Sequence, residues 1–120
     1  MVNIQNGIIT MNRGDTFYMP LYINIGSKID KKYYVPKDDN DKIYFAVEEY
    51  NQPFEHALIR KVFDYTNVED DHIVLELTSD DTRLVLPGEY YYEIKFCHKI
   101  DEEHEFIDTI VPRRKFIILE

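Results

Sequence analysis

The chain has 120 residues, with 23 Asp plus Glu against 14 Lys plus Arg and a formal net charge of -9. That length suits one domain, residues 1–120, able to bury a core without metal or disulfide staples. The acidic balance argues against nucleic acid and anionic membrane as main partners, and the single cysteine, Cys97, excludes an internal disulfide or a cysteine-rich zinc site.

The opening Met1-Val2-Asn3-Ile4-Gln5-Asn6-Gly7 lacks the basic start and ~7–15-residue apolar stretch of a secretory signal. No run approaches the ~20 apolar residues that span a bilayer. A protein made in a cytoplasm is therefore expected. Arg13-Gly14-Asp15 spells an integrin-binding tripeptide, but it reads first as a turn. Gly14 can take positive φ there, and Asp15 can bond nearby amides.

Phe17, Met19, Leu21, Ile23 and Ile25 alternate with Tyr18, Pro20, Tyr22 and Asn24. A strand places those sets on opposite faces, with Tyr18 and Tyr22 away from the apolar side. Gly26 to Asp41 is the longest gap. Its Asp38-Asp39-Asn40-Asp41 has acids enough for a calcium loop, yet counting from Asp39 the EF-hand's glycine and final Glu positions hold Tyr44 and Tyr50. A solvated acidic loop is the expectation. Ile43, Phe45 and Val47 form a second alternating run, with Tyr44, Glu48 and Tyr50 facing outward.

Gln52 to Tyr65 fits two patterns. As a helix started by Pro53 it would line up Phe54, Ala57, Leu58, Val62 and Tyr65. As a strand it would put Ala57, Ile59 and Phe63 on one side and Leu58 and Val62 on the other. The strand is favoured because strands surround it. Ile73, Leu75 and Leu77 then alternate with His72, Val74, Glu76 and Thr78. Ser79-Asp80-Asp81-Thr82 reads as one short helical turn near residues 79–84, with Ser79 as cap and two acids at the positive end of the helix dipole.

After Pro87-Gly88, Tyr90, Tyr92, Ile94 and Phe96 alternate with Tyr91, Glu93, Lys95 and Cys97. Cys97 reads as a structural, partly buried residue. His98 and His104 flank the turn at Asp101-Glu102-Glu103 and could face one another across a hairpin, but no metal is assigned to them. His56 and His72 stand singly and read as surface residues. Phe116 and Ile118 alternate with Ile117 and Leu119 in a final strand. Before it, Pro112 and the basic Arg113-Arg114-Lys115 suit an edge strand, where proline cannot donate and cations discourage stray pairing. The same cluster could dock an acidic patch of a neighbouring copy.

Turn signals spaced about eight to twelve residues apart suit an all-β sandwich or barrel. Leu77-Thr78-Ser79-Asp80-Asp81-Thr82 followed by Pro87-Gly88-Glu89-Tyr90-Tyr91-Tyr92 resembles the corner between strands E and F of immunoglobulin-like sandwiches. The resemblance makes Tyr90, two residues after Gly88, the structural tyrosine of that corner. Missing tryptophan, unpaired cysteine and the extra Arg83 to Leu86 set the chain apart from antibody-type domains.

A second resemblance covers most of the chain. Ile9-Thr10-Met11-Asn12-Arg13-Gly14-Asp15-Thr16-Phe17, then Lys42-Ile43-Tyr44-Phe45-Ala46-Val47, then the corner, is similar to small phage and prophage virion proteins, including the immunoglobulin-like N-terminal domain of baseplate upper proteins. It implies one immunoglobulin-like antiparallel β-sandwich of about seven or eight strands. It further implies a non-enzymatic structural or adaptor role in a virion, at the baseplate, tail or head. Partners would be other virion proteins and further copies of the chain.

No catalytic, cofactor or metal residue is assigned. No Gly-rich phosphate loop, G-x-S-x-G elbow or H-E-x-x-H motif occurs. The expected interface is Tyr18, Tyr22, Tyr44, Tyr50 and Tyr91 with Arg113, Arg114 and Lys115, because tyrosine and arginine are enriched where proteins meet. The alternative function is a small carbohydrate-binding sandwich that uses exposed tyrosines as sugar platforms.

Overall fold

The computed structural model describes residues 3–5, 7–24, 29, 32–49 and 56–120. It is an all-β, sandwich-like fold. Among the described residues eleven strands run in order: β1 (Asn3–Gln5), β2 (Ile8–Asn12), β3 (Phe17–Leu21), β4 (Ile23–Asn24), β5 (Tyr33–Tyr34), β6 (Asp41–Glu48), β7 (Ile59–Phe63), β8 (Val68–Glu69), β9 (His72–Leu77), β10 (Gly88–Lys99) and β11 (Glu105–Leu119). A large sheet has the order β1-β2-β11-β10-β6-β7 and a small one the order β3-β9-β8, while β4 and β5 form a separate ribbon.

One hydrophobic cluster joins the two sheets. The large sheet contributes Ile9, Met11, Ile43, Phe45, Val47, Ile94, Phe116 and Ile118, and the small sheet contributes Phe17, Leu21, Ile73, Leu75 and Leu77. Apart from Ile9 and Met11 of β2, these are residues of the period-two runs. Each large aliphatic or aromatic side chain removed from water contributes about 1.5–3 kcal/mol, so the alternation itself selects which face turns inward. In β7 Ile59 and Phe63 are buried, while Val62 and the preceding Leu58 are exposed, which is the strand pattern rather than the helix. Residues 51–55 lie outside the described residues, as do Ile25 and Tyr50.

Several expectations need correction. The run from Phe17 does not continue as one strand. β3 ends at Leu21, and β4 pairs with β5 instead of staying in the small sheet. At the break, the Tyr22 ring packs on Tyr33 at 5.2 Å and on His72 at 4.7 Å between centroids. The sandwich is not wholly antiparallel: β2 lies parallel to β11, from Ile9 opposite Phe116 to Leu119 opposite Asn12. The final strand starts well before Phe116 and spans 15 residues.

Glu48 occupies the outward face yet is only 1% exposed. It sits opposite Tyr91 in β6, an interior strand flanked by β10 and β7, so neighbouring side chains cover it. A carboxylate so buried needs a polar partner, and Glu48 has one. The short helix α1 (Ser79–Arg83) is capped by Thr78, one residue before the expected Ser79. The Asp81 carboxylate accepts the Thr78 backbone N–H at 2.7 Å and pairs with Lys61 of β7 at 2.9 Å.

Three hydrogen bonds, two of them between residues far apart in the chain, tie the turns to this frame. The Tyr90 hydroxyl donates to the Leu86 carbonyl at 2.5 Å. The Tyr92 hydroxyl donates to the Gly7 carbonyl at 2.5 Å. The Gly14 N–H donates to the buried Thr82 hydroxyl at 2.8 Å, with Gly14 at φ +85. Thus the Arg13-Gly14-Asp15 turn is pinned to α1.

Tyr90→Phe keeps the ring and removes one part-buried hydrogen bond, so it should destabilise by about 1 kcal/mol in urea unfolding. An unchanged midpoint would show that the corner contributes nothing. Gly7 has φ +79, and a Cβ there would meet Arg114 Cδ at 2.6 Å. Gly7→Ala should therefore cost at least about 1 kcal/mol.

Candidate interaction surface

Apart from Tyr50, which lies outside the described residues, the expected interface residues fall on three surfaces. Tyr18 is 63% exposed on the outer face of the small sheet, opposite Glu76. Tyr44 and Tyr91, both half-buried, lie on the outer face of the large sheet. There the Arg113 guanidinium stands 4.3 Å from the centre of the Tyr91 ring, a cation–π contact. Lys115 is opposite Tyr91 and reaches Glu89 at 3.9 Å, an exposed pair of little energetic weight. Gly88 opens β10 two residues before Tyr90. Tyr22 and Arg114 belong to neither outer face. Both line the seam between the sheets.

At that seam a cleft of about 770 Å³ opens between β3 and the middle of β11. Its apolar walls include Met19, Leu21, Ile94, Ile110 and Val111, with Tyr22 and Arg114 as polar groups. The cleft follows from strand pairing. β2 covers β11 only from Phe116 to Leu119, and no strand among the described residues pairs with the outer edge of β11 before that. Two register shifts between Tyr92 and Lys95 bend the β10–β11 ladder at the same level. β3 is the outermost strand of the small sheet, so the two sheets part there.

Pro20 of β3 and Pro112 of β11 both line the opening. Each removes a backbone donor from a strand edge, which blunts strand addition and leaves recognition to side chains. Tyr22 is 48% exposed but held by its ring contacts, so little rotamer freedom remains to be lost on binding. The Arg114 stem lies over Gly7, and no carboxylate among the described residues pairs with its guanidinium. A cleft of this size and lining falls in the range of binding sites. The wall residues Ile110 and Val111 were visible in the sequence only as an apolar dipeptide before the basic cluster.

The histidines separate. His98 Nδ1 pairs with the Asp41 carboxylate at 2.5 Å, and His104 Nδ1 pairs with Asp101 at 2.8 Å. Among the described residues, no group of three or more His, Cys, Asp and Glu is placed to hold a metal. Asp41 is not part of a solvated acidic loop. It is 1% exposed and also accepts the Tyr34 hydroxyl at 2.7 Å and the Lys37 N–H at 3.0 Å. This carboxylate thereby ties β5 and its loop to the ends of β6 and β10. Cys97 is buried, and desolvation followed by the nearby Glu105 charge pushes its thiol pKa up, which disfavours the nucleophilic thiolate.

Burial alone would raise the Asp41 pKa, but the hydrogen bonds from His98, Tyr34 and Lys37 together outweigh it and hold the carboxyl below the usual range. At Asp81 burial is likewise outweighed by Lys61 and Thr78. Depressed carboxylates stabilise the fold above their unfolded pKa, about 3.9, and that contribution drains away as pH falls through the folded value. The urea midpoint should therefore drop on acidification below about pH 4. Asp41→Asn and Asp81→Asn should each start less stable at neutral pH and lose less on acidification. Identical acid slopes in wild type and both variants would remove these two groups as the cause.

Neither a scan of protein-family models nor searches of curated proteins and solved structures finds a match to this chain.

Proposed function

We propose that the chain is a non-enzymatic, immunoglobulin-like adaptor that binds other proteins, and that it serves as a structural accessory of a phage particle at its baseplate, tail or head. The observation that carries the binding role is the open seam. There an apolar cleft is flanked by a fixed tyrosine, Tyr22, and by Arg114, an arginine with no carboxylate partner among the described residues. Aromatic and arginine anchors beside apolar pockets are where protein interfaces concentrate their energy.

Two features support the immunoglobulin-like reading. The small sheet β3-β9-β8 follows the B-E-D order of such sandwiches, and β11-β10-β6-β7 follows G-F-C-C′. Tyr90 sits near the start of the strand that corresponds to F and bonds the backbone four residues upstream, in the manner of a tyrosine corner. The phage assignment rests on the similarity of the Arg13-Gly14-Asp15-Thr16 turn and the Pro87-Gly88-Glu89-Tyr90 strand opening to virion proteins.

The test is incorporation into particles. Tyr18→Ser combined with Tyr22→Ser removes one exposed ring from the small sheet and one from the seam. This double variant should keep a cooperative unfolding transition but be recovered with purified particles at least about tenfold less than wild type, the loss expected from removing more than about 1.4 kcal/mol of interface energy. Incorporation at the wild-type level would remove these tyrosines as the contact, and absence of wild-type chain from particles would remove the virion role.

A further inference from the structure

The end of the β10–β11 hairpin has a composition opposite to that of the cleft. Residues 99–109 are all exposed. Ile100, Phe106 and Ile107 present apolar surface there, at 64%, 54% and 53% exposure. Around them stand five carboxylates, Asp101, Glu102, Glu103, Glu105 and Asp108, against one cation, Lys99. A few residues later the same strand turns basic at Arg113-Arg114-Lys115 and forms one wall of the cleft. An acidic, apolar projection and a basic, apolar recess thus lie end to end along β11.

We infer that two copies of this chain associate by laying the hairpin end of each across the cleft of the other. A two-fold axis near Ile110 runs the two β11 strands antiparallel. It sets the acidic segment 105–108 of one copy against segment 112–115 of its partner, which holds the three cations, twice over. Such a contact is self-complementary and closes, as two-fold interfaces must. Phe106, on the same face of β11 as Arg114, packs on the cleft lining at the partner's Pro112, and Arg114 meets the partner's carboxylates. Pro20 and Pro112 prevent a continuous backbone ladder, so side chains carry the contact and the complex stops at two copies rather than growing a sheet. Opposed charges at the two ends of β11 also set the antiparallel orientation, because a parallel arrangement would place like charges together. The inference rests on the reading of the seam as a protein-binding cleft and names a second copy as its occupant; it does not depend on the virion assignment.

Sedimentation equilibrium on the full chain tests it with charge-reversed variants at exposed positions. Wild type should be dimeric, with a dissociation constant that weakens as salt is raised. Glu105→Arg with Asp108→Arg should be monomeric, and so should Arg113→Glu with Arg114→Glu. An equimolar mixture of these two variants should form a one-to-one heterodimer, since both contacts then regain opposite charges. Phe106→Ser should weaken the wild-type dimer at least about tenfold, as loss of a buried aromatic contact predicts. A wild-type chain monomeric at all accessible concentrations overturns the inference. So does a dimer indifferent to Phe106→Ser, or a pair of reversed variants that fail to associate when mixed while each retains the wild-type fold.

Discussion

Burying tyrosine on the inward face of a central strand imposes a condition: each hydroxyl taken from water must find a partner. β10 meets that condition twice, and the rest of the molecule is arranged around the result. Its neighbours β11 and β6 complete the large sheet on either side. The rings of Tyr90 and Tyr92 enter the common core. Their hydroxyls bind the Leu86 and Gly7 carbonyls, drawing in the loop after α1 and the turn before β2. Gly7 lies under Arg114, and its positive φ is what favours glycine there. Thus one strand fixes the core, the first turn and one wall of the seam.

The same arrangement explains why the seam stays open. β2 is short and pairs with only the last residues of β11, while β11 extends far beyond it. An exposed strand edge of that length invites unwanted pairing. The chain answers with a bulged register, a proline on each flanking strand and three consecutive cations. Edge protection and a binding role are compatible here. The features that block backbone addition leave an apolar recess with a rigid tyrosine and an arginine at its mouth, which only a partner with matching side chains can use.

Polar groups inside the frame act as positioners. Asp41 gathers the Tyr34 hydroxyl, the Lys37 N–H and His98, and Asp81 joins Lys61 of β7 to the helix cap. Both carboxylates are stabilised in their charged form because hydrogen bonds and cations outweigh the cost of burial. The cation above Tyr91 has a different standing. Arg113 lies at the surface, so its contact orders a side chain without organising the core.

The amino-acid sequence by itself determined the class of fold, because strand alternation is written in consecutive residues. Phe17, Met19 and Leu21, or Tyr90, Tyr92 and Ile94, can share a face only in a strand. It also determined several of the turns and the helical turn near Ser79, whose chemistry is local. What depends on contacts between distant residues was not legible. The end of β3 at Leu21 was decided by Tyr33 and His72 closing on Tyr22, and the burial of Glu48 by β10 and β7 on either side of it. The inward turn of Asp41 was decided by His98, 57 positions away. The expected interface residues were chosen one at a time for their exposed, amphipathic character. Only tertiary structure could sort them, placing Tyr18 on one face, Tyr44 and Tyr91 on the other, and Tyr22 with Arg114 at the cleft, because register and sheet order are set by packing and not by neighbours in the chain.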